Sequence, residues 1–144
     1  MKILVLNGPN MNLLGSREPE VYGSLSLASL TSTLEAKAAE LGIELENRQT
    51  NSEEQMIGWL HEAFTNGYPV VINPAAFTHY SYALRDACAA HTSAGNKLIE
   101  VHISNPHLRE EFRHTSVISG VATGVIAGFG FNSYLMAIEQ LARN

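Results

Sequence analysis

Residues 69–73, PVVIN, are apolar without alternation and are stopped by Pro74, the mark of a strand covered on both faces. A chain built around such a strand has to supply helices to both sides of its sheet. Residues 3–6 form a second plain apolar strand, 43–49 alternate as a strand, and 97–102 (KLIEVH) and 125–130 complete the set. Between them, Leu27, Leu30, Leu34, Ala38 and Leu41 fall at helical spacing, with Ser24 or Ser26 as cap and Gly42 as stop. Met56, Ile57, Leu60 and Phe64 supply the next apolar face, introduced by Asn51 and Ser52, with Glu53 and Glu54 in the first turn and Gly67 at the end. A third helix is expected over 79–90, a short helical turn over 109–112, and a last helix capped by Asn132 or Ser133 with Leu135, Ile138 and Leu141 inward.

Strands alternating with helices predict an α/β fold with a parallel sheet and helices on both faces, wound in the flavodoxin-like order 2-1-3-4-5. Residues 1–144 suffice for one domain with a proper core. In such sheets ligands bind beyond the carboxyl ends of the strands. The residues there are Asn7 to Asn12, Asn51, Asn73 to His79, His102 to Ser104 and Gly130 to Asn132, all polar or small in the main. Residues 7–23 (NGPNMNLLGSREPEVYG) are an unusually long connection for a compact domain, and the other strand ends favour reading it as a lid over a site.

Composition removes several functions. A net charge of -5 without a basic cluster argues against a nucleic-acid partner. No apolar run approaches a membrane span, Met1-Lys2 leads directly into a strand, and a soluble cytoplasmic protein is expected. Cys88, the single cysteine, reads as a buried structural thiol. Neither GxxxxGK[ST] nor GxGxxG follows the first strand, and Asp86, the only aspartate, lies in a helix instead of at a strand end. His79, His102, His107 and His114 lack the ligand-pair spacing of a metal site. Lys2, Lys37 and Lys97 all sit away from the predicted site end, which leaves Schiff-base chemistry without a lysine. What remains there is Arg17, Tyr22, His79, Glu100, His102, Arg109 and Arg113, a set suited to proton transfer on an anionic substrate. Taken singly, Asn73 reads as a strand cap, His102 as a core histidine and Arg113 as a surface partner of Glu110. The residues alone also leave open a flavin- or anion-binding module, or an oligomeric scaffold without turnover.

Five ordered blocks, NGPNMNLLGSREPEVYG, QTNSEEQMIGWLH, INPAAFTHYSYALRDA, EVHISNPHLREEFRHTS and GVIAGFGFNSYLMAIE, resemble the type II 3-dehydroquinases across nearly the whole chain. The resemblance implies dehydration of 3-dehydroquinate to 3-dehydroshikimate through an enolate, in the shikimate pathway or in quinate catabolism, without metal or cofactor. It implies Tyr22 as general base, Arg17 as its activator, Asn10 as the holder of an enolate-stabilising water and His102 as general acid, oriented by Glu100. A free tyrosine has a pKa of about 10, so a tyrosine base needs a cation beside it. The same resemblance implies Arg113, Ser104 and the Ile103 amide at the substrate carboxylate, and Asn73 and His79 at the ring hydroxyls. It further implies Asp86 reaching into a neighbouring subunit's site, within a homododecamer of four trimers. Ala75 stands where the family usually has glycine, Tyr80 where a smaller residue is common and Ser133 where glycine is frequent. Ala75 matters only if its backbone needs a positive φ.

Overall fold

The computed structural model describes residues 1–16, 20 and 25–143. Arg17, Tyr22 and the alternative cap Ser24 lie outside the described residues. A single parallel sheet runs in the order β2-β1-β3-β4-β5, as the strand pattern predicts. Its strands are β1 (Lys2–Asn7), β2 (Glu44–Gln49), β3 (Val70–Asn73), β4 (Leu98–His102) and β5 (Gly124–Ala127). The helices packed on it are α1 (Leu27–Leu41), α2 (Glu53–Asn66), α3 (Tyr82–Ser93) and α4 (Phe131–Ala142), among the described residues.

Strand side chains alternate between two cores. Ile3, Val5, Val71, Ile99 and Val101 face Leu30 and Leu34 of α1 and Ile138 and Leu141 of α4. Leu4, Leu6, Val70, Ile72 and Leu98 face Met56 and Leu60 of α2 and Leu84 and Cys88 of α3. Each such aliphatic side chain contributes about 1.5–3 kcal/mol when fully buried. Both faces of β3 are covered, which its unbroken apolar run requires. Phe64, expected inward, is 48% exposed; Ala63 takes the buried position beside it.

Local chemistry sets the helix ends. Ser26 accepts from Ser29 N at 3.1 Å and donates its own N–H to Ser29 Oγ at 2.9 Å, closing a capping box on α1. Ser52, not Asn51, caps α2 through Gln55 N. Gly42 and Gly67 end α1 and α2 as expected.

Three boundaries differ from the sequence expectation. α3 starts at Tyr82 instead of residue 79, because 3₁₀ backbone occupies Ala75–His79 and Ser81 supplies the cap, accepting from Leu84 N. β5 stops at Ala127 instead of residue 130, because Gly128 (φ 97) and Gly130 (φ 62) turn the chain out of the sheet. Gly130, and neither Asn132 nor Ser133, is the N-cap of α4; Ser133 is buried inside the helix and accepts from Phe129 N at 3.2 Å. The turn expected over 109–112 lies at Glu111–His114, preceded by another at Pro106–Leu108.

At the carboxyl edge of the sheet Gln49, Asn7 and Asn73 stand in register on three adjacent strands. Immediately beyond, the loops after β1 and β3 touch. Gly8 N donates to Asn73 O at 2.8 Å, and a Cβ on Gly8 would lie 2.3 Å from Pro74 O, so any side chain there forces the two loops apart. Ala75 has φ 52 and does occupy left-handed backbone, the condition under which its methyl group becomes a strain.

Candidate active site

Beyond the ends of β1, β3 and β4 lies a cavity of about 130 Å³ whose wall includes Asn10, Asn73, His79, His102, Ile103, Ser104 and Arg113. All seven are residues the sequence assigns to the site. Met11, Ala75 and Arg109 join them. Asp86 does not: its side chain is 73% exposed on α3, paired with Arg85 Nη1 at 3.0 Å. Lys2 pairs with Glu46 and Lys37 with Glu139, so both are committed elsewhere.

The β1 loop is fixed by side chains from the end of β2. Asn10 holds left-handed backbone (φ 69), a conformation asparagine tolerates better than most residues. Its N–H donates to Asn51 Oδ1 at 3.0 Å, which also accepts from Gln49 Nε2 at 3.1 Å.

β4 contributes a charged pair. Glu100 and His102 are two residues apart and therefore on one face of the strand. His102 Nε2 lies 2.5 Å from Glu100 Oε2. The Glu100 carboxylate is fully buried yet well satisfied, accepting from Thr78 Oγ1 and Ser119 Oγ at 2.6 Å each and from Ser116 Oγ at 3.0 Å. Burial by itself would raise its pKa, but the hydrogen bonds from His102, Ser119 and Thr78 prevail and hold it below the usual carboxylate value. An ionised carboxylate only accepts, so Nε2 of His102 must carry hydrogen. Nδ1 has no hydrogen-bond partner among the described residues and is the nitrogen left to exchange a proton with a ligand.

His79 is arranged differently. Its Nδ1 lies 2.8 Å from the Thr115 carbonyl, which can only accept. Burial lowers the ring's pKa first of all, against the pull of that backbone bond, with the Arg113 charge adding to the lowering. A neutral ring with its hydrogen on Nδ1 offers Nε2 as an acceptor for a hydroxyl.

Arg113 sits on the Glu111–His114 turn, 16% exposed at its side chain, with Nε donating to Glu110 Oε1 at 3.2 Å. Its guanidinium lies over the Phe112 ring at 4.6 Å. The pairing with Glu110 and the place in the cavity wall thus coexist, because Nε is used by Glu110 and the Nη groups have no partner among the described residues. A guanidinium presented that way is suited to a carboxylate.

The hydroxyl partners of Glu100 escape sequence reasoning. Thr78 comes from the connection after β3 and Ser116 and Ser119 from the connection between β4 and β5, and no spacing rule links them to β4. Cys88 is fully buried, its thiol pushed up to about 12 chiefly by burial, and it takes no part in the cavity.

An open parallel α/β sheet with a fixed-tautomer histidine, a neutral histidine and an arginine past its strand ends defines a layout suited to acid–base chemistry on a small anion. Comparison with known proteins narrows that class. The family model for dehydroquinase class II matches residues 1–142. A 3-dehydroquinate dehydratase of Kineococcus radiotolerans is 58% identical over 142 residues, covering 99% of this chain and 95% of the relative. The crystal structure of a type II dehydroquinase from Propionibacterium acnes superposes with TM-score 0.95 at 50% identity, covering 99% of this chain and 97% of that one. A type II dehydroquinase from Butyrivibrio crossotus gives TM-score 0.94 at 48% identity, with 98% and 97% covered. The chain belongs to the class II dehydroquinase family, and it is an enzyme of the lyase type.

Proposed function

We propose that this chain dehydrates 3-dehydroquinate to 3-dehydroshikimate, serving aromatic biosynthesis or quinate breakdown. The observation that carries the reading is His102 held by an ionised, buried Glu100 on the wall of a cavity that also presents Arg113. Arg113, with Ser104 and the Ile103 amide beside it, takes the substrate carboxylate. Asn73 and the neutral His79 take ring hydroxyls.

Tyr22 removes the proton on the carbon next to the ketone, and Arg17 stabilises the phenolate that does so. The electron pair moves to the ketone oxygen, and a water held near Asn10 stabilises that enolate. When the carbonyl re-forms, the carbon–carbon double bond forms and the hydroxyl leaves with the proton from His102 Nδ1. The products are one conjugated enone and one water. Proton exchange with solvent returns Tyr22 and His102 to their starting states. Asp86, exposed on α3 and outside its own cavity, serves a neighbouring subunit's site in the proposed homododecamer. No helix among the described residues is long and apolar enough to cross a membrane. We assign the enzyme to the cytoplasm.

The test is direct. Chelator-treated protein mixed with 3-dehydroquinate should produce the ultraviolet absorbance of the conjugated product, and Tyr22→Phe should lower kcat by about 10²–10⁴-fold with the fold intact. A folded wild-type protein that yields no product overturns the reading.

A further inference from the structure

We propose that Tyr134, buried on α4, is a positioning residue that dictates which way the Asn73 amide faces in the cavity, with Asn7 in turn dictating the direction of the Tyr134 hydroxyl. This rests on the reading of Asn73 as a substrate contact. It assigns a role to two residues outside the reaction described above.

The argument is one of counting hydrogens along a buried chain. Asn7 and Tyr134 are entirely buried and Asn73 nearly so. One amide atom of Asn7 faces the Arg48 carbonyl at 3.0 Å and Asn47 Oδ1 at 2.7 Å. A carbonyl only accepts, so that atom is Nδ2 and the other is the acceptor Oδ1. Oδ1 lies 2.7 Å from Tyr134 Oη, and a phenol has one hydrogen, so Tyr134 donates it there. Burial raises the phenol's pKa and keeps that hydrogen in place.

Tyr134 Oη therefore has only lone pairs left for its second partner, Asn73, at 2.8 Å. The Asn73 atom facing it must be Nδ2. The far end of the chain gives the same answer independently, because Asn73 Oδ1 accepts the Ala75 N–H at 3.1 Å and so anchors the left-handed residue that follows Pro74. The two ends, the Arg48 carbonyl and the Ala75 amide, leave one self-consistent direction for every bond between them.

The consequence reaches the ligand. With one Nδ2 hydrogen given to Tyr134, the second is directed at Met11 Sδ, 3.7 Å away, a weak acceptor on the cavity wall. A substrate hydroxyl oxygen is a better acceptor than a thioether. Asn73 is thus set as a donor, and His79, with its hydrogen turned to Thr115, as an acceptor. Without Tyr134's hydroxyl only the Ala75 N–H still holds the amide, and Nδ2 loses the bond that aims its second hydrogen into the cavity.

The test is a double-mutant cycle in kcat/KM for 3-dehydroquinate, with thermal stability recorded for each variant. Tyr134→Phe should lower kcat/KM by about tenfold, mostly through KM, while keeping the ring's packing. Asn73→Ala should lower it at least as much, and the double variant should match Asn73→Ala within about twofold. Ile138→Val, a buried change on the same helix that removes no hydrogen-bonding group, should lower stability and leave kcat/KM unchanged. Should Tyr134→Phe fail to fold, Asn7→Ala removes the acceptor of the same hydroxyl and must show the same non-multiplying effect with Asn73→Ala. Effects that multiply overturn the inference while leaving Asn73 a substrate contact. An Asn73→Ala enzyme with unchanged kcat/KM removes that contact, and the inference falls with it.

Discussion

The two sides of the cavity are built from different kinds of hydrogen bond. On the β3 side Asn73 is held by neutral groups, a phenol and an amide, whose directions end at backbone atoms. On the β4 side His102 is held by a buried carboxylate that also accepts from three hydroxyl groups. Neutral bonds between buried groups respond little to pH and fix geometry, while a charged pair can hold a group that changes its protonation during the reaction. In the proposed reaction the β3 side measures the shape of the substrate, and the β4 side moves its proton.

The contrast can be broken in order of expected effect. Replacing His102 with alanine removes the proposed acid and should lower kcat by about 10²–10⁴-fold, with KM changing far less. A loss confined to KM would place His102 with Asn73 as a binding residue. A smaller effect is expected where the β3 loop is strained. Ala75→Gly should raise stability by about 1 kcal/mol, because glycine occupies φ 52 without the Cβ conflict that alanine meets. Thermal unfolding checks it, and an unchanged or lowered midpoint would mean that the Asn73 bond absorbs the strain.

The smallest effect lies outside the cavity and sharpens the contrast by showing a histidine with neither support. His91 on α3 is fully buried, and among the described residues neither ring nitrogen makes a hydrogen bond of normal geometry. Burial lowers its pKa from the ordinary 6.5, against weaker opposing pulls from the backbone of Lys97 and Tyr68. A depressed folded-state value means that the unfolded chain binds the proton more readily. The contribution of His91 is present above the ordinary value and is lost as pH falls below it. The melting temperature should therefore drop as pH is lowered from 7.5 to about 5.5, and His91→Leu should shrink that slope. The slope should not vanish, since His79 is shifted in the same direction. Glu100 is also depressed, and its contribution is lost only at lower pH, below the usual carboxylate value. An undiminished slope in His91→Leu would assign the effect elsewhere.

Most of the frame was legible because it depends on periodicity and caps. The unbroken run of β3, the serine caps of α1 and α2 and the glycines that end them are local signals, and the strand order follows from the alternation. Two of the boundaries that differed, the end of β5 and the cap of α4, turn on backbone at positive φ, which also occurs at Ala75 in the β3 loop. Ala75 does not advertise it in a sequence, and Gly128 and Gly130 can equally end a strand or sit within it. Most of the cavity residues were legible too, as polar residues just past strand ends. Their supports were not. Tyr134 reads as an ordinary inward helix residue, and its two partners lie 61 and 127 positions away along the chain. Ser116 and Ser119 look like any loop serines until folding carries them under Glu100.

The division between the two sides is tested most directly by steady-state kinetics of Glu100→Gln. Glutamine keeps the shape and removes the charge, and the hydroxyls of Thr78 and Ser119 can rotate to meet it. A hydrogen bond to a charged group contributes about 1.5–3 kcal/mol, so kcat should fall by about 10- to 150-fold while KM stays within about threefold. An unchanged kcat, or a loss expressed wholly in KM, would contradict the claim that the β4 pair works on the proton instead of on substrate binding.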